Sequence, residues 1–382
     1  MPAFRQLIRE KLGVLGLCFV LMGALGAQTQ TAWAYPELIR HGYVNCTSCH
    51  VSPSGGGVLT EYGRELSSEV LSTWSREGEQ SFLYGSVKTP AWLLMGGDYR
   101  SVYLYRNRPD FQDGQLIFMQ ADVEAAATYK RLTFDATFGY QNTAGTKSFG
   151  DHFISRRHYV MFKPTDELSV RGGRFNTAFG INTPDHIIVT KRGLNFEDET
   201  MENYNLELAW LNEDLNFYAT AILGRPDQPD LNREVGAAFT IGKGIADHNK
   251  VGVSYMNLSA PQSTRQLFGP WALLGFTPKF YLLSELDFQR QLQASSTRPT
   301  WGGVSYNRLG YEFYKGLHVF GSEEISKLNF GNSNSLYLAH GLGLQLFPRP
   351  HFEFNVLFQK RKFLSQFPDY TDYFYIMWHY YL

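Results

Sequence analysis

From about Ala91 to the C-terminus, the sequence alternates apolar and polar residues with a period of two, and this pattern constrains the fold more than any other. In residues 132–140, for example, Leu, Phe, Ala, Phe and Tyr alternate with Thr, Asp, Thr and Gly. Such alternation places the two kinds of side chain on opposite faces of a β-strand. The same pattern recurs at 117–129 and 352–359. The chain beyond Ala91 is therefore predicted to be all-β.

Two all-β architectures fit this alternation. A soluble β-sandwich would turn its apolar faces inward, whereas an outer-membrane barrel would turn them towards lipid. Short links, as at 130–131 and 315–316, alternate with long ones, as at 107–114, 142–152, 180–202 and 259–265. This alternation is typical of an up-and-down barrel with periplasmic turns and long outer loops. Only the link near 242–249 is longer than this rule predicts for a tight turn. We predict an outer-membrane up-and-down β-barrel of about 16 antiparallel strands, with both chain ends on the periplasmic side.

The first 34 residues have the pattern of a secretory signal peptide. Basic residues precede an apolar run from Leu12 to about Ala27, and Ala32-Trp33-Ala34 offers a small-x-small cleavage site. After Tyr35 no run of 18 apolar residues occurs, which argues against a helical membrane protein. The formal net charge of −1 gives no indication of a nucleic-acid partner. We predict export to the outer membrane of a Gram-negative bacterium.

The segment Cys46-Thr47-Ser48-Cys49-His50 has the attachment pattern of c-type haem. The two thiols of such a motif add to the haem vinyl groups, and the adjacent imidazole becomes an axial ligand of the iron. A redox disulfide does not need the histidine, and the chain has no second cysteine pair to complete a zinc site. We therefore predict one covalent haem c, bound through Cys46 and Cys49, with His50 as proximal ligand.

These features divide the chain into a signal peptide at 1–34, a haem module at 35–91 and a barrel at 92–382. The haem module is small and rich in Gly and Ser, with one helix predicted over Thr60 to Trp74. Fewer than 60 residues form too small a core to enclose a haem alone. The haem module is therefore expected on the periplasmic side of the barrel or inside it.

The sequence motif does not specify the second axial ligand of the haem iron. His41 is the only other His or Met between Tyr35 and Ala91. His41 lies five residues before Cys46, and five residues span about 17 Å when extended, enough to pass around a porphyrin edge. We predict that His41 is the distal ligand, so that His50 and His41 together bind the iron. Met95, at the start of the barrel, is the alternative distal ligand.

The chain resembles the fused monohaem cytochrome-porin family of the outer membrane, best known from iron-oxidising bacteria. The resemblance rests on the export signal, the single Cys-x-x-Cys-His motif, Pro53 and Tyr62-Gly63-Arg64 after it, and the predicted barrel that follows. The resemblance implies electron exchange between an extracellular donor or acceptor and a periplasmic c-type cytochrome or other carrier. It also implies Fe(II) oxidation as a candidate activity. The Gly55-Gly56-Gly57 insertion departs from the pattern of the iron oxidisers, so the donor stays open.

Two further functions compete with an electron conduit. The first is a solute-diffusion porin that carries a tethered periplasmic haem module, which pore conductance would distinguish. The second is a haem enzyme such as a peroxidase, for which the sequence offers no acid-base cluster.

Several charged strand residues are predicted to point into the barrel. Arg171 and Arg174 fall on opposite faces by strict alternation, which indicates a β-bulge at Gly172-Gly173 or a position beyond the bilayer. Five acidic residues on polar strand faces are predicted to line the lumen, either as a path for cations or, as we favour, as the charged interior that a large barrel needs: Asp122, Glu124, Glu285, Asp287 and Glu353.

Overall fold

The computed structural model describes residues 35–140, 152–185, 187–194, 202–226, 233–366 and 369–382. The predicted signal peptide, most of the link at 142–152 and part of the link at 180–202 lie outside these residues. The strands are β1 (Leu93–Arg108), β2 (Phe111–Tyr129), β3 (Leu132–Tyr140), β4 (Phe153–Ile154), β5 (His158–Phe162), β6 (Leu168–Asn176), β7 (Glu202–Leu211), β8 (Leu215–Gly224), β9 (Val235–Ile245), β10 (Asn249–Ala260), β11 (Ser263–Thr277), β12 (Phe280–Gln293), β13 (Thr300–Tyr314), β14 (Leu317–Lys327), β15 (Leu336–Leu346), β16 (Phe352–Phe363) and β17 (Thr371–Tyr381).

The strands form one closed antiparallel barrel. Each pairs with its neighbour in sequence, and β1 also pairs with β17, from Asp98↔Tyr381 to Asn107↔Asp372. The short segments β4 and β5 both pair with β3 and together form a single wall strand. The described residues therefore make a sixteen-stranded barrel, and the predicted fold class is confirmed.

The apolar faces of the strands point outward. In β3, Phe134 and Phe138 are exposed, whereas the intervening Asp135 and Thr137 are buried. The last strand repeats this arrangement, since Ile376 and Trp378 are among the exposed large side chains. A soluble sandwich would show the reverse. The wall is thus built to face lipid outside and a polar lumen inside.

The predicted lengths of three links are wrong. The link near 242–249 is a tight turn, because β9 continues to Ile245 and β10 begins at Asn249. Conversely, the predicted long links at 107–114 and 259–265 are tight hairpins, since β1 and β2 leave only residues 109–110 between them, and β10 and β11 only 261–262. Strand pairing continues through polar residues beyond the point where apolar alternation ends.

The N-terminal segment consists of short helical turns. A 3₁₀-helix spans Pro36–His41, another spans Cys46–Ser48, and a third spans Phe82–Gly85. The helix α1 (Glu61–Leu66) continues as a π-helix over Ser67–Leu71, so the predicted helix ends before Trp74. Further 3₁₀-helices lie at Arg192–Leu194 and Ser333–Ser335. Among the described residues, the helices are all too short and polar to cross a membrane.

The N-terminal segment shares its hydrophobic cores with the barrel. Val51 and Val58 pack with side chains of β2, β5 and β6, among them Met161 and Phe175. A second cluster joins buried residues of this segment to Phe347, which precedes β16: Leu38, Tyr43, Cys49, Leu66 and Leu71. Its buried side chains thus depend on the barrel wall, as expected of a segment too short to form a core of its own.

Candidate functional site

The residues of the haem motif form one compact turn. The carbonyl oxygen of Cys46 accepts the backbone N–H of Cys49 at 3.2 Å and that of His50 at 2.9 Å. Just before the turn, the side-chain amide of Asn45 donates to the carbonyl of Asn212, in the turn between β7 and β8, at 2.7 Å. The motif therefore lies at the short-turn end of the barrel and is bonded to its wall.

Thr60 joins the motif to helix α1. Its hydroxyl donates to the carbonyl of Ser48 at 2.9 Å and accepts the N–H of Gly63 at 3.0 Å, as a helix N-cap does. Its own N–H donates to the carbonyl of Cys49 at 2.8 Å. A Cβ on Gly63 would lie 2.5 Å from that carbonyl oxygen. The glycine thus allows the helix to contact the motif directly.

The three glycines after the motif bring the chain against the barrel wall. All adopt positive φ, and Gly57, with φ of 71°, shows why a larger residue would not fit. A Cβ there would lie 2.8 Å from Oε1 of Glu124, on β2. Glu124 in turn accepts two hydrogen bonds from Arg157, at 3.0 and 2.8 Å. The glycine turn therefore lies directly on a buried ion pair of the wall.

The side chains of the motif provide the donor set of a c-type haem. Cys46 and Cys49 supply two thiols, and burial raises the pKa of the Cys46 thiol. Two thiols and one imidazole from a single turn match what covalent haem attachment requires. In the described part of the chain, no group of three or more His, Cys, Asp or Glu side chains could hold a metal ion by itself. The residues thus fit haem c better than zinc.

His41 lies at the end of the first 3₁₀-helix. Burial, with Arg40 and His248 nearby, lowers the pKa of His41 to about 4. Its imidazole is therefore neutral at physiological pH, as an iron ligand must be. Its Nε2 atom is buried and has no hydrogen-bond partner among the described residues. The helix is held in place by Arg40, which donates to Glu312 and to the carbonyl of Pro278.

Met95 is oriented differently from His41. It pairs with Ala125 across β1 and β2, and directly opposed residues of two strands share a face. The adjacent Leu94 packs against the cluster that contains Val51 and Val58 and therefore points inward. The side chain of Met95 consequently points outward, while its carbonyl accepts a hydrogen bond from Arg64. This orientation favours His41 over Met95 as distal ligand.

Arg171 is the main polar contact between the barrel and the segment that follows the motif. Its guanidinium donates to Oγ of Ser52 at 2.9 Å and to Oγ of Ser54 at 2.8 Å. It also pairs with Glu207 at 2.7 Å, and the two side chains are 1% and 0% exposed. The guanidinium lies 3.8 Å from the ring centre of Phe175. We call this arrangement the arginine fork.

The backbone around Arg171 differs from the predicted bulge. Pairing of β6 with β5 and with β7 stays in register through Gly172 and Gly173. Instead, Gly173 adopts a φ of 144°, and Arg171 and Arg174 are both buried. The unusual glycine conformation, and not an inserted residue, accompanies the two buried arginines.

The far end of the N-terminal segment is bonded to the end of the chain. Ser67 shares a hydrogen bond with the hydroxyl of Tyr381 at 2.9 Å and accepts the N–H of His351 at 3.1 Å. The ring of His351 bonds to the carbonyl of Glu79 at 3.0 Å. Burial, with Arg64 nearby, lowers the pKa of His351 to about 4. The segment is thus attached to the wall near β7 and at the β1–β17 closure.

A second segment also enters the lumen. After β6, the N–H of Gly180 donates to Ser254 at 2.9 Å, that of Ile181 to Glu285 at 3.0 Å, and that of Val189 to Glu324 at 3.0 Å. Residues 179, 188, 189 and 194 pack against inward side chains of the wall. Asn182 donates to the carbonyl of Ser54 and so connects this inner loop to the segment after the motif.

The five predicted acidic residues all point inward and are buried. Glu124 pairs with Arg157, Asp122 with Arg156 and Glu353 with His379. These three carboxylates are engaged by basic side chains of the barrel, and Glu285 accepts the N–H of Ile181, which favours a charged, filled interior over an acidic cation path.

Comparison with known proteins shows which known structures share the fold of the barrel. No protein-family model matches the sequence, and no curated protein matches it. The barrel is similar to a loop L8 deletion mutant of OmpT of Vibrio cholerae, with 12% identity over 76% of this chain and 99% of that one, at a TM-score of 0.60. The fold is that of the outer-membrane porins. OprB of Pseudomonas putida (8% identity, 82% of this chain and 99% of that one, TM-score 0.59) and OmpF of Salmonella typhi in complex with daunomycin (15%, 76% and 97%, 0.55) share this porin fold.

Proposed function

We propose that this chain is an outer-membrane electron-transfer protein in which a porin-type barrel encloses a monohaem c-type cytochrome module. It exchanges electrons between an extracellular donor or acceptor and a periplasmic c-type cytochrome or other carrier. The lipid-facing apolar wall supports the membrane location. The donor set of Cys46, Cys49 and His50 supports the cofactor.

The arginine fork is the observation that carries this proposal. A tethered periplasmic module would need no contact deep in the wall, yet Arg171 and Glu207 are almost fully buried and the arginine bonds to Ser52 and Ser54. The residues that follow the motif therefore occupy the lumen. A haem attached at the motif would therefore belong to a segment that is bonded to the barrel wall.

Bound haem would supply a one-electron iron couple. His50 would be one ligand of the iron, and the neutral, half-buried imidazole of His41 would be the second. Two strong ligands keep the coordination unchanged between oxidation states, which favours electron transfer over substrate chemistry. Fe(II) is one candidate external donor under this proposal.

A solute-diffusion porin with a haem module is the second candidate, and the porin fold favours it. Porins of this fold conduct through an open lumen. Here the lumen contains both the N-terminal segment and the inner loop. The two functions predict different pore conductances in planar bilayers: low for an enclosed module, high for a module that hangs free.

The first experiment tests haem and ligation together. The purified full chain should show covalent haem on a denaturing gel and a low-spin optical spectrum. His41→Ala should become high-spin and bind carbon monoxide when reduced, while the exposed His340→Ala should not. A wild-type protein without covalent haem would end the proposal. An unchanged spectrum in His41→Ala would remove only the distal ligand.

The second experiment tests transfer across the membrane. Liposomes that enclose oxidised mitochondrial cytochrome c would carry the protein in their wall, and a membrane-impermeant reductant would be added outside. Reduction of the enclosed cytochrome should require the haem-loaded chain and fail with the double substitution of the motif cysteines. Equal reduction with both proteins would indicate leakage through a pore and favour the solute porin.

A further inference from the structure

One face of the helix 61–71 is acidic and exposed to solvent. Glu61, Glu65 and Glu69 are spaced four residues apart and are all exposed. Residues at this spacing lie on one side of a helix. No ion pair in the described part of the chain includes any of these three carboxylates. The face thus carries three carboxylates that form no ion pair with a described residue, and one cation, the Lys315 ammonium, lies beside it at Glu69.

The opposite face of the same helix contacts the haem motif. Gly63 lies directly against the backbone of Cys49, and Leu66 and Leu71 share a cluster with the Cys49 side chain. An α-helix with its side chains is about 10–12 Å across. A protein docked on the acidic face would therefore be separated from the motif by a single helix.

An aromatic side chain connects the two faces. Tyr62, between the first two glutamates, is 43% exposed, and its hydroxyl bonds to that of Tyr43 at 3.1 Å. Tyr43 is buried in the cluster that contains Cys49. Exposed tyrosines ringed by charge are common at the centres of protein interfaces.

The helix also lies at the short-turn end of the barrel. Lys315, in the turn between β13 and β14, donates to the carbonyl of Glu69 at 2.9 Å. The N–H of Thr73, just after the helix, donates to the carbonyl of Phe347 at 2.8 Å. In an up-and-down barrel this end faces the periplasm. A partner that reaches this face is consequently a periplasmic one.

We propose that Glu61, Tyr62, Glu65 and Glu69 form the docking patch for a periplasmic electron carrier with a positively charged face. This inference rests on the proposed function and names the chemistry of one of its partners. Opposite charges on small docking surfaces raise association rates without requiring a large buried area. Such weak, fast contacts suit electron carriers.

The test measures binding, so that it does not depend on electron transfer. The full chain would be immobilised in detergent, and mitochondrial cytochrome c, a strongly basic protein, would be flowed over it at several salt concentrations. We expect fast association that falls steeply with salt. The triple variant Glu61→Gln, Glu65→Gln, Glu69→Gln should lower the association rate about tenfold at low ionic strength and flatten its salt dependence.

A matched control removes the same number of charges from the same end of the barrel. Glu213→Gln, Asp214→Asn and Asp247→Asn neutralise exposed carboxylates in the short turns after β7 and β9. We expect little change from this variant. Equal loss in both triple variants would show a general charge effect and overturn the patch. Absence of salt-dependent binding by the wild type would overturn it as well, whereas a lack of haem would refute only the electron-transfer function.

Discussion

The arginine fork makes a quantitative prediction about the occupied lumen. Replacing Arg171 alone would leave Glu207 as a buried, unpaired charge, at a cost of about 3–5 kcal/mol to the wall itself. We therefore consider the double variant Arg171→Gln, Glu207→Gln, which removes both charges. It eliminates the donors to Ser52 and Ser54 while leaving amides that can bond to each other.

The size of the effect follows from the two lost contacts. A hydrogen bond from a charged donor contributes roughly 1.5–3 kcal/mol. Losing those to Ser52 and Ser54 should weaken binding of the N-terminal segment by at least about 3 kcal/mol. Since each 1.4 kcal/mol is a factor of ten, the equilibrium should shift about a hundredfold towards an open lumen.

Planar-bilayer conductance measures this shift directly. The wild type should conduct poorly, and the double variant should show frequent openings to porin-like conductance. Ser52→Ala with Ser54→Ala should have the same effect from the other side of the contact. The matched control is Arg106→Gln with Asp113→Asn, an arginine–carboxylate pair near the β1–β2 hairpin that should leave the conductance unchanged.

Two results would refute this reasoning. A wild type that conducts like an open porin would place the N-terminal segment outside the lumen. Double and serine variants that both remain closed would show that the fork does not hold the segment. In either case a heat-modifiability gel must confirm that each variant forms a barrel.

Three further predictions can be checked more simply. Double substitution of the motif cysteines by Ala should abolish haem staining on denaturing gels while the barrel still assembles. Gly57→Ala should lower the melting temperature and open the lumen, because the added Cβ would contact Glu124. The control Gly78→Ala has a similar φ of 88° but lies in open space, so it should cost only the backbone strain of about 1 kcal/mol. The pKa of His351, about 4, lies below its value in the unfolded chain. The stability that the neutral imidazole supports is therefore fully present above pH 6.5 and declines by up to about 3 kcal/mol as the pH falls towards 4. His351→Asn, in which asparagine tolerates the φ of 71°, should make the melting temperature less sensitive to acid.

The barrel could be predicted from the sequence because its signal is local. The apolar and polar residues of each strand alternate within that strand, so its lipid-facing and lumen-facing sides can be read from a few consecutive residues. The alternation at 132–140 matches the exposed and buried residues of β3. The hairpins at 107–114 and 259–265 were predicted wrongly because polar residues can pair as strands without any apolar alternation. Backbone hydrogen bonds between strands do not depend on apolar side chains, so the pattern of apolar residues does not reveal them.

The contacts of the site could not be predicted in the same way. The motif itself is a contiguous signal, but Arg171 binds Ser52 and Ser54 more than 115 residues away. The sequence identified Arg171 only as a charged strand residue that is followed by two glycines. These two adjacent glycines indicated an irregular backbone, but they did not indicate which residues Arg171 would contact.

The shared cores have a consequence for the order of biogenesis. Val51 and Val58 are covered by side chains of β1, β2, β5 and β6, and Ser67 is bonded to Tyr381 at the far end of the chain. This binding site exists only once the barrel has closed. After closure Cys49 is 4% exposed and beyond the reach of a ligation enzyme. On the proposed function, haem would therefore be attached before the barrel has closed around the segment.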